Sequence, residues 1–564
     1  MCSTMGTSAS TQLEQEGTDE PANKRLKSSR AEIAAFPDAA CELKVFRQMR
    51  AEYAHLCGRG LDDGQLLLEL GQAYQNAMSI ANPLGQHAAT GATEEKWQCP
   101  KVRFGRTGLL MPTITCGGMR QQLTWKPKEG LTLEEIPKDN QANFQACVNR
   151  AMELGINHFE SAKGYGCSEL QFGQALKKHE RSSFLLQTKI NANKCPQQEN
   201  FRKDIDGCLA RLQVEYLDLL AFHGLNKPGH LEHIIKPGGL LEVAEEYRKA
   251  GKVRWIGFST HGPAKIIHEA IQTGRFDYVN LHYHFVGSYT ASGTWGESVP
   301  GGHGWDHGTL ACVRAAHAQD MGVFIISPND KGGCLYKPSK VLVDACRPQG
   351  LTPIMFNDLW LWRGGDAGPG TIHTMSIGVA RPSDFNEHVA AAKLLPRAEE
   401  LVAPVEQRLR LLMVERLGEE WVRGWWHGLP GVYDTPTGVF FSHIVWLWNV
   451  VKAWGMYDFA RERYKILEDN WKNRKVETSD EEQIEAFNGF TPGYMYRTDV
   501  TLADYIPDTC PNKAKVLEVL KEAHGWLCQE EAAAVKASQA ERGWQAAYDL
   551  QADVPYPERK HLYT

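Results

Sequence analysis

At 564 residues the chain is longer than one hydrophobic core usually accommodates, so more than one structural unit is expected. Its 42% apolar and 23% charged residues are ordinary for a soluble globular protein, and a net charge of −6 gives no reason to expect nucleic acid or an anionic membrane as partner. Apolar runs fall short of a membrane span and the polar N-terminus lacks the apolar core of a secretory signal, so a cytoplasmic location is the simplest expectation, nuclear or organellar ones remaining open. The 14 cysteines include no CxxC pair, which removes zinc-ribbon and iron–sulfur readings.

Residues 1–40 are rich in Ser, Thr, Glu and Lys and are expected to be a disordered tail; the basic cluster KRLKSSR at 24–30 reads as part of that solvated tail. Residues 41–99 read as a helical extension followed by a linker. From Lys101 the pattern changes. KVRFGRTGLLMP predicts two short strands around a turn at 106–108, after which apolar strands alternate with amphipathic helices.

Eight strands are predicted, at 112–117, 156–161, 183–189, 217–223, 253–259, 277–283, 322–327 and 373–378. The intervening helices show their period plainly: Phe201, Ile205, Cys208, Leu209 and Leu212 share one face, as do Phe144, Val148, Ala151 and Met152 before a stop at Gly155. Eight such units across 100–398 point to a closed α/β (β/α)8 TIM barrel, whose active face lies at the strand C-terminal ends.

The stretch INHFESAKGYGC (156–167) places a carboxylate, Glu160, at the end of an apolar strand and displays Tyr165 on a loop between Gly164 and Gly166. A phenol there could donate a proton if a cation lowers its pKa, and Lys189 and His223 end the next two strands. Ser259 and Asn280 end two more. Two long connections, 121–140 and the glycine-rich 286–308, leave strand C-terminal ends and should rim the site. The histidines His282, His284, His303 and His307 lack the spacing of a metal site, and no metal is expected.

Residues 399–530 read as a helical C-terminal appendage in which Trp421, Trp425, Trp426, Trp446, Trp448 and Trp454 form a hydrophobic core. Residues 531–564 read as a helical and polar tail.

FGRTGL, CGGMR, HFESAKGYG, LQTKI, LAFHGLN, WIGFS and VNLHYHF follow one another with the spacing of the aldo/keto reductase family, and the resemblance spans roughly 100–395. It implies that FGRTGL is a hairpin plugging the barrel bottom. FHGLN and the stretch HIVWLWNVVKAWGMYDFARERYKIL (443–467) resemble the branch related to ferredoxin-binding reductases, but the cluster cysteines of that branch are missing, so no iron–sulfur cluster is expected.

Carried over by residue, the resemblance implies reduction of a small-molecule carbonyl by NADPH, with NADH as the alternative. Tyr165 would be the proton donor, Lys189 the cation beside it, His223 the group orienting the carbonyl, and Glu160 the carboxylate paired with Lys189 where the family has aspartate. Ser259 and Asn280 would hold the nicotinamide amide. Ser327, Lys331 and Gly332 would embrace the pyrophosphate, Gly378 and Arg381 would lie near phosphate, and Glu387 near adenine. Asp384 stands where other members carry an arginine for the 2′-phosphate, and Ile326 where many carry an aromatic. The competing expectation is a barrel retained as a regulatory or scaffold protein, with the appendage as a possible protein-partner surface.

Overall fold

The computed structural model describes residues 97–128, 130–227, 229–287, 309–329, 338–475, 479, 482–483 and 492–528. The extension before residue 97, the tail after 528, most of the second rim connection and the turn carrying Lys331 and Gly332 lie outside the described residues.

The chain enters through an antiparallel hairpin, β1 (Lys101–Arg103) and β2 (Leu110–Pro112), joined by a single 3-10 turn at Gly105–Thr107. Phe104, Leu109 and Met111 of this hairpin pack with Leu219, Ala221, Tyr278 and Phe324 from inside the barrel. A side chain at Gly322, the first residue of a barrel strand, would strike the Phe104 ring, so the hairpin closes the strand N-terminal end. Arg103 fastens it there with a two-pronged ion pair to Asp320.

The barrel is closed and parallel throughout. Its strands are β3 (Ile114–Gly117), β4 (His158–Glu160), β5 (Leu185–Ile190), β6 (Leu217–His223), β7 (Val253–Ser259), β8 (Tyr278–Leu281), β9 (Gly322–Ile325) and β10 (Thr374–Gly378), with β10 closing on β3. The register aligns the polar strand ends: Gly117 with Glu160, Lys189 with Ala221, His223 with Ser259, and Ser259 with Asn280. All eight predicted strands are present: β6 and β7 have the predicted bounds, β5 starts later and runs one residue further to Ile190, and the others are shorter at one or both ends. Residues 181–183, for instance, form a 3-10 turn, so the third barrel strand starts at Leu185.

The helices of the described chain are α1 (Lys138–Glu153), α2 (Ser168–Leu176), α3 (Gln198–Leu212), α4 (His230–Ile235), α5 (Leu240–Lys249), α6 (Ala264–Gln272), α7 (Thr309–Ala318), α8 (Lys340–Cys346), α9 (Pro353–Trp362) and α10 (Asn386–Lys393). Five more follow the last barrel unit: α11 (Ala398–Leu417), α12 (Glu419–Gly424), α13 (Phe441–Trp454), α14 (Tyr457–Lys472) and α15 (Lys513–Leu527). The apolar face predicted for α3 is its buried face. In α9 Pro353 opens the first turn, where a missing N–H costs nothing, and Thr352 caps it by accepting from Met355 N at 3.1 Å.

Helix α13 is mostly apolar and buried along its whole length apart from Lys452. Its Trp446 indole donates to the Val286 carbonyl in the connection after β8 (2.9 Å), and Trp454 donates to Leu409 O of α11 (2.9 Å). The six tryptophans singled out from the sequence are all buried. Among the described residues no helix is long and apolar enough to cross a membrane.

Candidate active site

Glu160, Lys189, His223, Ser259 and Asn280 stand at or next to the C-terminal ends of β4 to β8, on one rim of the barrel. The loop after β4 is folded tightly back over that rim. Lys163 N donates to Lys189 O, Tyr165 N to Ala162 O, and Ser168 N to Tyr165 O, each at 2.9 Å. This short turn delivers the Tyr165 ring to the face of Lys189, whose ammonium lies 4.6 Å from the ring centroid. The His223 ring meets Tyr165 edge-on, with centroids 5.6 Å apart and planes at 85°.

Lys189 is only 1% exposed. Its ammonium contacts the Glu160 carboxylate and donates to Ser161 O at 2.9 Å. Burial pushes the Lys189 ammonium well below the ordinary lysine value, and the carboxylate in contact with it works in the opposite sense. Glu160 in turn accepts from Ser376 Oγ on β10 at 3.2 Å. The longer carboxylate therefore still reaches Lys189.

The expected lowering of the Tyr165 pKa is not found. Burial pushes the phenol up from its ordinary value, and Arg120 is the charge that pulls it back. Lys189 lies against the ring face, already engaged by Glu160. Arg120 sits three residues past β3, and its stem packs over Gly378, where an added Cβ would lie 2.7 Å from Arg120 Cγ. The sequence reading missed this arginine. Its signal is the sole charge in the CGGMR stretch immediately beyond a barrel strand.

The first rim connection reaches the same loop. Gln122 Oε1 accepts from Cys167 N (3.1 Å), and Leu123 N donates to Gln171 Oε1 (2.9 Å). Trp125, 43% exposed, sets its ring edge-on to Tyr165 at 5.9 Å. Gly166 allows this approach: its φ is +51°, and a Cβ there would overlap the Thr124 carbonyl oxygen.

On the cofactor side, Ser259 Oγ and both amide atoms of Asn280 are buried without a hydrogen-bond partner among the described residues. Ser327 turns the chain after β9 with φ +49°. Gly378 ends β10 beside Gly117. Arg381 is held by Asp384, whose Oδ1 lies 3.0 Å from Arg381 Nε and whose Oδ2 accepts from Ala380 N at 2.8 Å. Glu387 accepts the Thr352 hydroxyl at 2.5 Å, and burial pushes its carboxyl up. The structure thus gathers Glu160, Tyr165, Lys189 and His223 into one cluster, whereas Arg381 and Glu387 are each engaged within the protein. Among the described residues no three His, Cys, Asp or Glu side chains converge as a metal site requires.

A family model, "Aldo/keto reductase family", matches residues 113–292. Among curated proteins the chain is similar to L-galactose dehydrogenase of Arabidopsis thaliana, 34% identical over 121 residues, which are 20% of this chain and 37% of that protein. It is also similar to the NADH-specific methylglyoxal reductase of Escherichia coli (strain K12), 29% identical over 163 residues, 25% of this chain and 48% of that one. The chain spans half or less of the length of these curated relatives. Among solved structures, an aldo-keto reductase from Klebsiella pneumoniae in complex with NADPH aligns over 56% of this chain and 95% of its own, with 18% identity and a TM-score of 0.41. The match over 113–292 falls on a closed parallel barrel with a hairpin across its base, and over those residues the chain is similar to the aldo/keto reductase family.

Proposed function

We propose that the chain reduces an aldehyde or ketone to an alcohol with NAD(P)H, and that Tyr165 gives the proton. The observation that carries this reading is the cluster itself: a phenol with a buried ammonium on its face and an imidazole at its edge, at the open end of a parallel barrel.

The cofactor fits the residues present. Ser259 and Asn280, on neighbouring strands, offer a buried hydroxyl and a buried amide that lack partners among the described residues, a donor and acceptor set suited to a primary carboxamide. The nicotinamide, when bound, supplies the hydride. Tyr165 holds its proton at neutral pH because burial disfavours the phenolate, and it can pass that proton to an oxygen on which negative charge develops. His223, at the edge of the Tyr165 ring, orients that oxygen. Glu160 fixes Lys189, and Lys189 supports negative charge at the ring. Ser327, Gly378 and Arg381 flank the mouth where the dinucleotide would run, with Lys331 and Gly332 in the connection beyond Ser327.

The test combines binding and turnover. The chain is titrated with NADPH and NADH by cofactor fluorescence, then offered a panel of aldehydes and ketones. Wild type consumes the cofactor, whereas Tyr165→Phe binds it comparably and turns over at least roughly a hundredfold more slowly. Turnover by Tyr165→Phe at the wild-type rate would remove the phenol from its role. Binding by wild type without turnover on the whole panel would favour the competing reading, a barrel kept for regulation or scaffolding.

A further inference from the structure

Glu160 and Ser376 belong to strands that do not touch. In the barrel order β10-β3-β4, strand β3 lies between them. Their side chains nevertheless meet, Ser376 Oγ donating to Glu160 Oε2 at 3.2 Å. Gly117 of β3 makes the meeting possible. It pairs with Glu160 on one side and Gly378 on the other, and a Cβ on it would lie 2.6 Å from Ser376 Oγ and 3.4 Å from Glu160 Oε2. The alternation of β10 explains the serine's direction: Met375 and Ile377 are in the apolar layer against the helices, so Ser376 faces inward.

A glutamate has one more rotatable bond than an aspartate and, unless held, more ways to point its carboxylate. Here each oxygen has its own neighbour, Oε1 the Lys189 ammonium and Oε2 the Ser376 hydroxyl. A hydroxyl donating to a carboxylate favours one direction for that oxygen, and at 3.2 Å this bond is a long one that orients Glu160 Oε2 more than it grips it.

We propose that Ser376 is a positioning residue: by holding one oxygen of Glu160 it fixes the direction of the long carboxylate, and through Glu160 it sets where the Lys189 ammonium stands against the Tyr165 ring. The relay crosses four strands, β10 to β4 over β3 and then β4 to β5, before reaching the loop that carries the phenol. This role rests on the proposed function only in so far as Tyr165 is the group being served.

The experiment uses the full chain with Ser376→Ala, Ser376→Thr, Glu160→Gln and the Ser376→Ala/Glu160→Gln pair. One readout is kcat and KM for carbonyl reduction. The other is the Cζ resonance of Tyr165 in [13Cζ]tyrosine-labelled protein, assigned by its loss in Tyr165→Phe, which needs no turnover. Ser376→Ala is expected to lower kcat roughly tenfold with KM and cofactor affinity nearly unchanged, and to displace the Tyr165 resonance. Ser376→Thr, which keeps the hydroxyl, restores both. In the Glu160→Gln background Ser376→Ala has no further effect. An unmoved resonance and unchanged kcat in Ser376→Ala, or an undiminished effect in the Glu160→Gln background, would overturn the proposal. Should wild type turn over no carbonyl, the resonance and its behaviour in the pair still decide the role of Ser376.

Discussion

The Lys189 ammonium stands over the face of the Tyr165 ring, 4.6 Å from its centroid, and is held there by Glu160 and Ser161 O. A cation in that position contacts the π-face. Burial is the larger influence on the phenol and raises its pKa; Arg120 opposes it.

The pH dependence follows from that balance. Reduction requires the protonated phenol, and a raised pKa keeps it protonated past the ordinary tyrosine value of about 10. The Tyr165-dependent part of the reduction rate is therefore flat from about pH 7 to about pH 10, while alcohol oxidation, which needs phenolate, climbs with pH over the same span. In Arg120→Met the phenol rises further. Its oxidation profile moves to higher pH while reduction at pH 7 changes by only a few-fold. Steady-state rates in both directions for the two proteins check this, and coincident oxidation profiles would dismiss Arg120 as an influence on Tyr165.

Gly166 offers a test of loop geometry. At φ +51°, with the Thr124 carbonyl oxygen where a Cβ would go, alanine is strained twice over. Gly166→Ala should cost roughly 1–3 kcal/mol in denaturant-unfolding stability. Because Tyr165 precedes it directly, misplacement by about 1 Å should lower kcat by up to a hundredfold. Wild-type turnover in this variant would show that the first rim connection is not fixed against the Tyr165 loop.

The barrel was legible because its strands are short buried runs, several of them closed by a polar residue as in LDLLAFH, and because the helices between them keep a clear period. Glu160, Tyr165, Lys189 and His223 were legible for the same reason, being polar groups at or just past strand ends. The contact between Ser376 and Glu160 was not, since it joins residues 216 apart in sequence and two strands over, and needs the missing side chain of Gly117 between them. Arg120 was hidden differently: sequence places it beyond a strand but does not show that it folds over Gly378 toward the phenol. The Arg381–Asp384 pair is local, three residues apart, but the sequence shows Asp384 only as a charge that would face phosphate. Its acceptance from Ala380 N and Arg381 N shows it capping the turn as well.

That pair bears on cofactor choice. With its guanidinium engaged by Asp384, Arg381 has less to offer a 2′-phosphate, and Asp384 adds a charge of the wrong sign. Asp384→Asn keeps an acceptor for the turn and removes the charge. The variant should bind NADPH about two- to fivefold more tightly and leave NADH unchanged, the size expected of a partly exposed ion pair. Fluorescence titration with both cofactors at low and high salt measures it. Equal changes for NADPH and NADH would separate Arg381 from the 2′-phosphate.

Two buried histidines outside the proposed mechanism contribute to acid sensitivity. His158 lies inside the barrel, its Nδ1 2.7 Å from Thr115 Oγ1, and burial pushes its pKa down to about 3, with Lys189 adding to the effect. His284, after β8, is likewise pushed down to about 3 by burial, with Arg463 contributing. Both are neutral in the folded chain, whereas in the unfolded chain each takes up a proton near pH 6.5. The folded pKa is the lower one, so their contribution is complete above about pH 6.5 and is lost as pH falls toward about 3. Over that window each histidine lowers unfolding free energy by about 1.4 kcal/mol per pH unit. Denaturant midpoints measured between pH 7 and pH 4 should fall steeply for wild type. The decline should be shallower by one histidine's share in His284→Gln, whose neutral amide does not titrate. An identical slope in that variant would mean that His284 is protonated in the folded protein, against its burial beside Arg463.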